Sequence, residues 1–461
     1  MRANLGVMKR PSPARSYRRG RVARLVLRGI AGGGGRLADA IGRQLSAAAG
    51  DPTAASRVAF VVRALPRLPW LPPQWVPWTR SPVTPWPPES LTVPPELQTV
   101  PGVTRDPAAE AAAHRQRPLH SFFALHADSM AMLAPHLLVT LLSVAPNLMR
   151  STQRLLARRD EAPTVASAAA DPLRLTAELK TQAGLLGLSA IGIAAYDPQY
   201  TFAEYAGRAV GERVVVCVLE QNYRSTQMIP SLRSEQAALC TYAEIEDRAV
   251  GLADWLRERG YRARPETFAG ESVFIHYGVA AGLGQLGQNG QLLTPQAGSR
   301  CRLIVLTTDA PLELDGPVDY GIEGICDRCQ ICVRRCPVGA IPPVRREHRG
   351  VVKAKLNTKQ CLPVVMQADG CAICMKVCPI QRYGLSAVLE EYRRSGRILG
   401  KDTDELEGYD WPLDGRHYPP GARPRVPVGI VRPPGLPFDA NRAEPPERRV
   451  GMLPGLADIL G

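Results

Sequence analysis

Eight cysteines in the last third of the 461-residue chain constrain its fold more than any other feature. They form two runs, and each run ends in a Cys-Pro pair: Cys326, Cys329, Cys332 and Cys336-Pro337, followed by Cys361, Cys371, Cys374 and Cys378-Pro379. The first run has the spacing C-x2-C-x2-C-x3-C-P, which is typical of ligands to paired [4Fe-4S] clusters. The sequence therefore predicts a domain that binds two such clusters and transfers electrons one at a time.

The fourth cysteine of each run is expected to bind the other cluster, because the chain turns at the proline that follows. This assigns one ligand set, Cys326, Cys329, Cys332 and Cys378, and a second set, Cys336, Cys361, Cys371 and Cys374. The second run departs from the ideal spacing, since nine residues separate Cys361 from Cys371 where two would be expected. Zinc fits less well, because it favours separated Cys-x-x-Cys pairs. Disulfides would require an export signal, and we identify none.

Positive charge is concentrated at the N-terminus. Residues 1–60 contain twelve Lys and Arg against Asp39 and Asp51, so +10 of the net charge of +14 lies there. We interpret 1–63 as a basic arm, either a solvated tail or a segment that contacts nucleic acid, anionic lipid or an acidic redox partner. Arg18-Arg19 is followed by further arginines rather than by an apolar stretch, which argues against twin-arginine export and for a cytoplasmic location.

Two further segments precede the body of the chain. Residues 64–97 contain eleven prolines and four of the six tryptophans, which predicts an extended strap or linker over 64–118 rather than a long helix. A helical segment is expected over 119–165. Residues 129–149 are uncharged and long enough to cross a bilayer, but Pro135, His136 and Pro146 favour a packed or interfacial helix pair. A membrane span is therefore not expected.

The pattern from residue 172 onward predicts alternating helices and strands, and hence an α/β fold with helices on the faces of a sheet. Helices are expected over 171–186 and 234–259, and strands over 190–195, 213–219 and 303–308. The second strand is rich in valine, which indicates burial on both faces. Cys217 in its middle is expected to be an inert core thiol.

A glycine-rich loop runs from Ala281 to Gly290 and contains the pattern G-x-G-x-x-G. A dinucleotide fingerprint must follow a strand, whereas residues 273–281 look as helical as they look extended, so we do not interpret the loop in that way. Glycines let backbone amides approach a bulky or anionic cofactor closely. A purely structural turn remains open.

Taken together, these features resemble the reductive dehalogenase family and its relative, epoxyqueuosine reductase. The resemblance covers about 172–385 and rests on the glycine loop, Leu293-Thr294-Pro295, Thr308-Asp309-Ala310-Pro311-Leu312 and the two cysteine runs. It implies a nitroreductase-like α/β core over 172–318 that binds a corrinoid and a two-[4Fe-4S] ferredoxin-type domain over 319–385. The composition of the remaining residues, 386–461, predicts an irregular Pro/Arg-rich tail. In this interpretation one wall of the corrinoid site is formed by loop residues Gly282, Gly284, Gly287, Asn289 and Gly290.

The resemblance also implies that electrons pass through the clusters to cobalt and that a tyrosine supplies a proton to the substrate. Tyr242 falls at the matching place and lies on the apolar stripe of its helix, whereas Asp247 should face elsewhere. A guanidinium nearby would favour the phenolate, and Arg300 and Arg302 are the candidates. An ordinary core tyrosine and a surface arginine remain the simpler alternative.

No fused flavin domain is apparent, so an external ferredoxin or flavodoxin is expected to supply electrons. The substrate is expected to be a small organic molecule. The resemblance supports reduction by a corrinoid more directly than it supports release of a halide ion from the substrate. Two alternatives remain: an electron-transfer protein that has lost the corrinoid, and an epoxyqueuosine-type reductase that acts on tRNA. The second lacks support because Glu246-Asp247-Arg248-Ala249 replaces the usual Arg-Asp-Tyr-His stretch. Nucleic acid is therefore not an expected partner.

Overall fold

The computed structural model describes residues 91–99, 135–167, 170–202, 205–348 and 351–426. The basic arm, most of the Pro/Trp-rich segment and the end of the tail lie outside these ranges. The expectations for those parts of the chain are not addressed by the structure.

A four-stranded antiparallel sheet forms the centre of the α/β core. In spatial order its strands are Ala190–Ala195, Arg213–Glu220, Cys301–Thr308 and Ala263–Pro265. The three predicted strands are present, and the last of them begins two residues earlier than expected. Strand Arg213–Glu220 is buried on both faces, because alternate residues belong to two different apolar clusters. Cys217 is completely buried, and burial raises its pKa to about 12, as expected of a core thiol.

Helices cover both faces of this sheet. Two helices, Pro172–Leu185 and Leu232–Arg257, pack on one face of the sheet. A third helix, Phe274–Ala280, packs on the other face. The first helix begins with a proline behind an Asp171 cap, and the second begins with a capping box at Ser231. Both starts are local sequence signals, which explains why the predicted bounds differ from the observed ones by only one or two residues.

A long helix, Pro135–Arg158, packs against Leu232–Arg257. Within the described residues the expected helix pair is one helix that continues through Pro146. Thr152 on this helix donates a hydrogen bond to the buried carboxylate of Glu246 at 2.7 Å. Among the described helices none is both long and apolar enough to cross a membrane.

The cysteine-rich part follows the sheet and is mainly built from short helices. They are Ile322–Cys329, Ile331–Arg335, Thr358–Gln367, Ile373–Lys376, Pro379–Tyr383, Leu385–Ser395 and Asp404–Glu407. Short two-stranded ribbons are formed by Gln285–Leu286 with Leu292–Leu293, Arg346–His348 with Val351–Lys353, and Tyr409–Asp410 with His417–Tyr418. One apolar core joins the cysteines to residues well beyond 385, including Leu389, Leu406 and Trp411.

The described part of the Pro/Trp-rich segment lies on this cysteine-rich part. Leu97, in the short 3-10 helix Pro95–Leu97, is completely buried there. A Cβ atom on Gly324 would come within 2.4 Å of the Leu97 carbonyl oxygen, so glycine allows this close approach. Residues 91–99 therefore form a strap, which is one of the two readings that the sequence left open.

Arg335 attaches the tail to the cysteine-rich part. Its side chain is 1% exposed. It donates hydrogen bonds to the carbonyl oxygens of Glu407 at 2.9 Å, Tyr418 at 2.7 Å and Pro419 at 2.8 Å, and to that of Ala422. A planar guanidinium with five N–H groups suits this set of acceptors, whereas a lysine ammonium does not.

We predict that Arg335→Lys lowers the free energy of unfolding by about 2–4 kcal/mol, because it leaves buried carbonyl groups without donors. Urea denaturation followed by circular dichroism measures the change. Arg334→Lys is the matched control, since the Arg334 side chain is 47% exposed. Equal losses for the two variants would contradict the anchoring role of Arg335.

Candidate functional site

The four cysteines Cys326, Cys329, Cys332 and Cys378 line one small cavity. Other walls of this cavity come from Gln288, Asn289, Leu293, Ile325, Val377 and Ile380, with Cys374 at one side. Burial raises the pKa of the Cys326 thiol to about 12, and the neighbouring Cys378 raises it as well. The structure thus brings together the four cysteines that the sequence assigns to one cluster, and we call them the first group.

The remaining four cysteines form a second group. Burial raises the pKa of the Cys371 thiol to about 12, and the nearby thiols of Cys374 and Cys336 act in the same direction. Cys361 is likewise coupled to Cys371 and Cys336. Each group therefore contains the fourth cysteine of the other run.

The two groups share a repeated turn. Gln330 follows Cys329 with φ of 53°, and Ala372 follows Cys371 with φ of 51°. In both turns the next residue is an isoleucine whose backbone N–H points at the preceding cysteine sulfur. Left-handed backbone at a non-glycine residue costs about 1–3 kcal/mol and persists where the surroundings demand it. Here it aims a backbone donor at a sulfur in each half of the domain.

Cys361 explains the irregular spacing of the second run. It lies on the separate helix Thr358–Gln367, and the nine intervening residues complete that helix and turn back to Cys371. The chain thus reaches the same group from a different direction. The irregular spacing changes the route of the backbone and still leaves four thiols together.

The donor set fits a polynuclear cluster. A buried thiol stays protonated without a nearby cation, and the pKa of Cys326 near 12 reflects this. Within the described ranges, no three His, Cys, Asp or Glu side chains lie close enough to share one metal ion.

The glycine loop joins the α/β core to the cysteine-rich part. It follows helix Phe274–Ala280 rather than a strand, so the rejection of a dinucleotide fingerprint is confirmed. The buried side-chain oxygen of Gln285 accepts hydrogen bonds from the N–H groups of Tyr320 at 2.8 Å and Ile322 at 3.0 Å. Gln288 lines the cavity of the first group, and its backbone N–H donates to the Cys326 sulfur.

Three of the loop glycines are required by packing within the chain. A Cβ atom would lie 2.6 Å from the Gly316 carbonyl oxygen at Gly282, 2.2 Å from the Leu293 carbonyl oxygen at Gly284, and 2.7 Å from Leu293 side-chain atoms at Gly287. Asn289 is buried and lies 3.2 Å from Gln291. Only at Gly290 is the nearest atom as far as 3.6 Å. Packing within the chain therefore explains why glycine occupies the first three positions. Contact with a cofactor is not needed to explain it.

Tyr242 and Arg302 lie together, whereas Arg300 lies elsewhere. The Arg302 Cζ atom is 5.0 Å from the centroid of the Tyr242 ring, and Phe268 packs on the same ring. Arg300 precedes the strand, bonds to Glu220 at 3.0 Å and stacks over Tyr223. The two arginines therefore do not share a partner, and only Arg302 can act on Tyr242 directly.

Glu235 is a neighbour that the sequence did not reveal. Burial raises the pKa of its carboxyl group, and the positive charge of Arg302 opposes this effect. A Cβ atom on Gly370 would lie 2.4 Å from Glu235 Oε2, so the carboxylate occupies space beside the residue that precedes Cys371. Side chains thus extend from Tyr242 through Arg302 and Glu235 to the second cysteine group. No local pattern marks Glu235, because these contacts join segments far apart in the chain.

Known proteins that are similar to this chain include reductive dehalogenases and epoxyqueuosine reductases. Tetrachloroethene reductive dehalogenase of Sulfurospirillum multivorans is 31% identical over 181 residues, which cover 37% of this chain and 36% of that protein. The chain is similar to reductive dehalogenases. It is also similar to the epoxyqueuosine reductase of Lactococcus garvieae, at 30% identity over 155 residues that cover 30% of this chain and 40% of the relative. No family model matches the chain.

A solved reductive dehalogenase, for which a mechanism of B12-dependent dehalogenation has been suggested, shares the fold. The TM-score is 0.50 at 23% sequence identity, and the match covers 65% of this chain and 48% of that one. The mixed helix and sheet architecture of the chain therefore resembles reductive dehalogenase structures. The chain spans less than half the length of the curated relatives described above.

We predict that Gly284→Ala lowers the free energy of unfolding by about 1–3 kcal/mol or more, because the new methyl group would overlap the Leu293 carbonyl oxygen. Gly184→Ala is the control: this glycine is helical and has no atom within 4 Å of an added Cβ. It should gain about 0.5–1 kcal/mol. Thermal or urea unfolding compares the two, and a tolerated alanine at 284 would show that the loop has free space.

Proposed function

We propose that this protein is a reductive dehalogenase-like oxidoreductase that contains two [4Fe-4S] clusters. The observation that carries the proposal is the pair of interleaved four-cysteine groups beside an α/β core with a Tyr242–Arg302 pair. The similarity to reductive dehalogenases supports it independently of those contacts. The activity of the complete relatives is attributed to this shorter chain only as part of the proposal.

The residues present fit two clusters in a ferredoxin-type domain. Cys326, Cys329, Cys332 and Cys378 would hold the first, and Cys336, Cys361, Cys371 and Cys374 the second. Cys374 also lines the cavity of the first group, so the two sites adjoin. Backbone N–H groups from Gln288, Ile331 and Ile373 would donate to the sulfurs, which stabilises thiolate and adjusts cluster potential.

We further propose a corrinoid as the group that reduces the substrate when it is bound. Support comes from the similarity to a solved protein described as B12-dependent, not from the glycine loop. Packing within the chain accounts for Gly282, Gly284 and Gly287, so the proposal that the loop forms one wall of the corrinoid site does not rest on these glycines.

Tyr242 is proposed to hold the proton that a small organic substrate, such as an organohalide, receives. Its hydroxyl group belongs to a half-buried side chain, and the Arg302 guanidinium lies over its ring. This cation–π contact helps to hold the ring in place. Phe268 also packs against the ring and restricts its orientation. An external ferredoxin or flavodoxin would supply electrons.

A second candidate is an electron-transfer protein of the same fold without a corrinoid. The closed packing at Gly284 favours it, because the loop is explained without any ligand. An epoxyqueuosine-type reductase has less support. Asp247, which lies within the segment that replaces the Arg-Asp-Tyr-His stretch of that branch, is exposed and pairs at 3.0 Å with Arg154 on the neighbouring helix.

Metal analysis of the reconstituted full chain tests the proposal. We expect about eight irons per chain, and stoichiometric cobalt after incubation with a corrinoid. Cys378→Ser should retain only about four irons, because it removes a ligand from one group. Cys240→Ser, outside both groups, should retain all of the iron. Full iron without any cobalt binding favours the electron-transfer protein, and iron loss in neither cysteine variant would contradict the ligand assignment.

We expect Tyr242→Phe to lower kcat at least about a hundredfold, because the proton donor is lost, while the absorption of both clusters is unchanged. The assay is reduction of an organohalide by the corrinoid-loaded protein with a reduced viologen. Tyr223→Phe is the matched control, since Tyr223 also lies under an arginine, Arg300, at 5.2 Å. Unchanged turnover in the Tyr242 variant, or an equal loss in the control, would rule out the role assigned to Tyr242.

A further inference from the structure

Two basic segments adjoin the second cysteine group: one leads into Cys361, and the other contacts Cys336 through Arg423. Residues 345–359, which lead into Cys361, contain six Lys and Arg and a single acidic residue, Glu347. The described tail adds arginines from a second direction. We define the basic collar as four exposed side chains: Arg346, Lys355, Arg423 and Arg425.

Packing places parts of the collar around one turn, Cys336–Ile341. On one side Leu356, next to Lys355, packs against Cys336 and Ile341, and the Asn357 N–H donates to the Ala340 carbonyl oxygen at 2.8 Å. On the other side an Arg423 Nη1 atom donates to the Cys336 carbonyl oxygen at 3.4 Å. The collar thus flanks a segment that begins with a cysteine of the second group.

The turn itself presents bare backbone at Gly339. This residue is exposed, has φ of +65°, and has no atom within 4 Å of an ideal Cβ position. It lies three residues after Cys336. Nearby in the chain, Val344 is 61% exposed, which gives the surface an apolar spot beside its positive charges. A small partner could approach the second group here without displacing a side chain.

We propose that the basic collar is the docking surface for an acidic one-electron carrier protein, and that electrons enter at the second cysteine group. The proposal rests on the proposed presence of clusters and adds the place and charge of the partner. Electron-transfer complexes are small and transient, and charge complementarity steers their encounter. The exposed backbone at Gly339, with Lys355 and Arg423 on either side of its turn, meets both requirements.

Nucleic acid is the main competing occupant of a basic surface. Single-stranded RNA is read by stacking of bases on aromatic side chains. None of the large apolar side chains that are exposed in the described ranges is aromatic. The position of the collar, centred on a turn that supplies a cluster cysteine, therefore favours an electron carrier.

The test uses the reconstituted full chain and a reduced, acidic bacterial ferredoxin. In Lys355→Glu/Arg423→Glu the second-order rate constant for cluster reduction should fall about tenfold or more, and its dependence on ionic strength should weaken. Reduction by a neutral, zwitterionic viologen should be unchanged, because that donor is not steered by charge. Neither substituted residue is a predicted cluster ligand.

The matched control is Arg174→Glu/Arg259→Glu, which changes net charge equally at exposed sites of the α/β core. It should keep the ferredoxin rate of the unaltered protein. An equal loss in this control, or no loss in the collar variant, would overturn the docking surface. A tRNA affinity that the collar variant loses while its ferredoxin rate persists would also overturn it, and would assign the surface to nucleic acid. Iron content distinguishes these results from failure of the proposed function. If the proposed function is wrong, the clusters do not form and iron is absent.

Discussion

The exchange of the fourth cysteine between the two runs is the constraint on which the cysteine-rich part depends. Cys378 completes the group of the first run, and Cys336 completes the group of the second. Neither group can therefore form from its own run alone, and both require residues 326–336 to pack against 361–378. Because a preformed site does not exist in an unfolded chain, cluster binding in such an arrangement is coupled to folding of the whole unit.

The α/β core is tied to both groups, although by different means. Backbone and side chains of the glycine loop reach the first group, since Gln288 and Asn289 line its cavity. The second group is reached through Gly370, against which the Glu235 carboxylate packs. The Tyr242–Arg302 pair lies on this second connection. The core is thus the part of the molecule at which contacts from both groups converge.

Local signals made much of this arrangement predictable. The valine-rich strand, the capped helices and the two cysteine sets were all predicted from spacing and periodicity, because each depends on neighbours in the chain. Two features were not accessible in this way. Which arginine lies beside Tyr242 depends on where strand Cys301–Thr308 begins. The need for glycine at position 284 depends on the carbonyl group of Leu293, nine residues away. A glycine pattern shows that space is needed but not what fills it.

The repeated left-handed turns at Gln330 and Ala372 bear on what the sulfurs do. Gln330 ends helix Ile322–Cys329 and Ala372 precedes helix Ile373–Lys376, and each non-glycine residue adopts this strained conformation at a cost of about 1–3 kcal/mol. The turns do direct the N–H groups of Ile331 and Ile373 at cysteine sulfurs. A neutral thiol is a weak acceptor, whereas a metal-bound thiolate is a strong one. The strain is therefore best offset when the sulfurs carry negative charge, which is the state that cluster ligation requires.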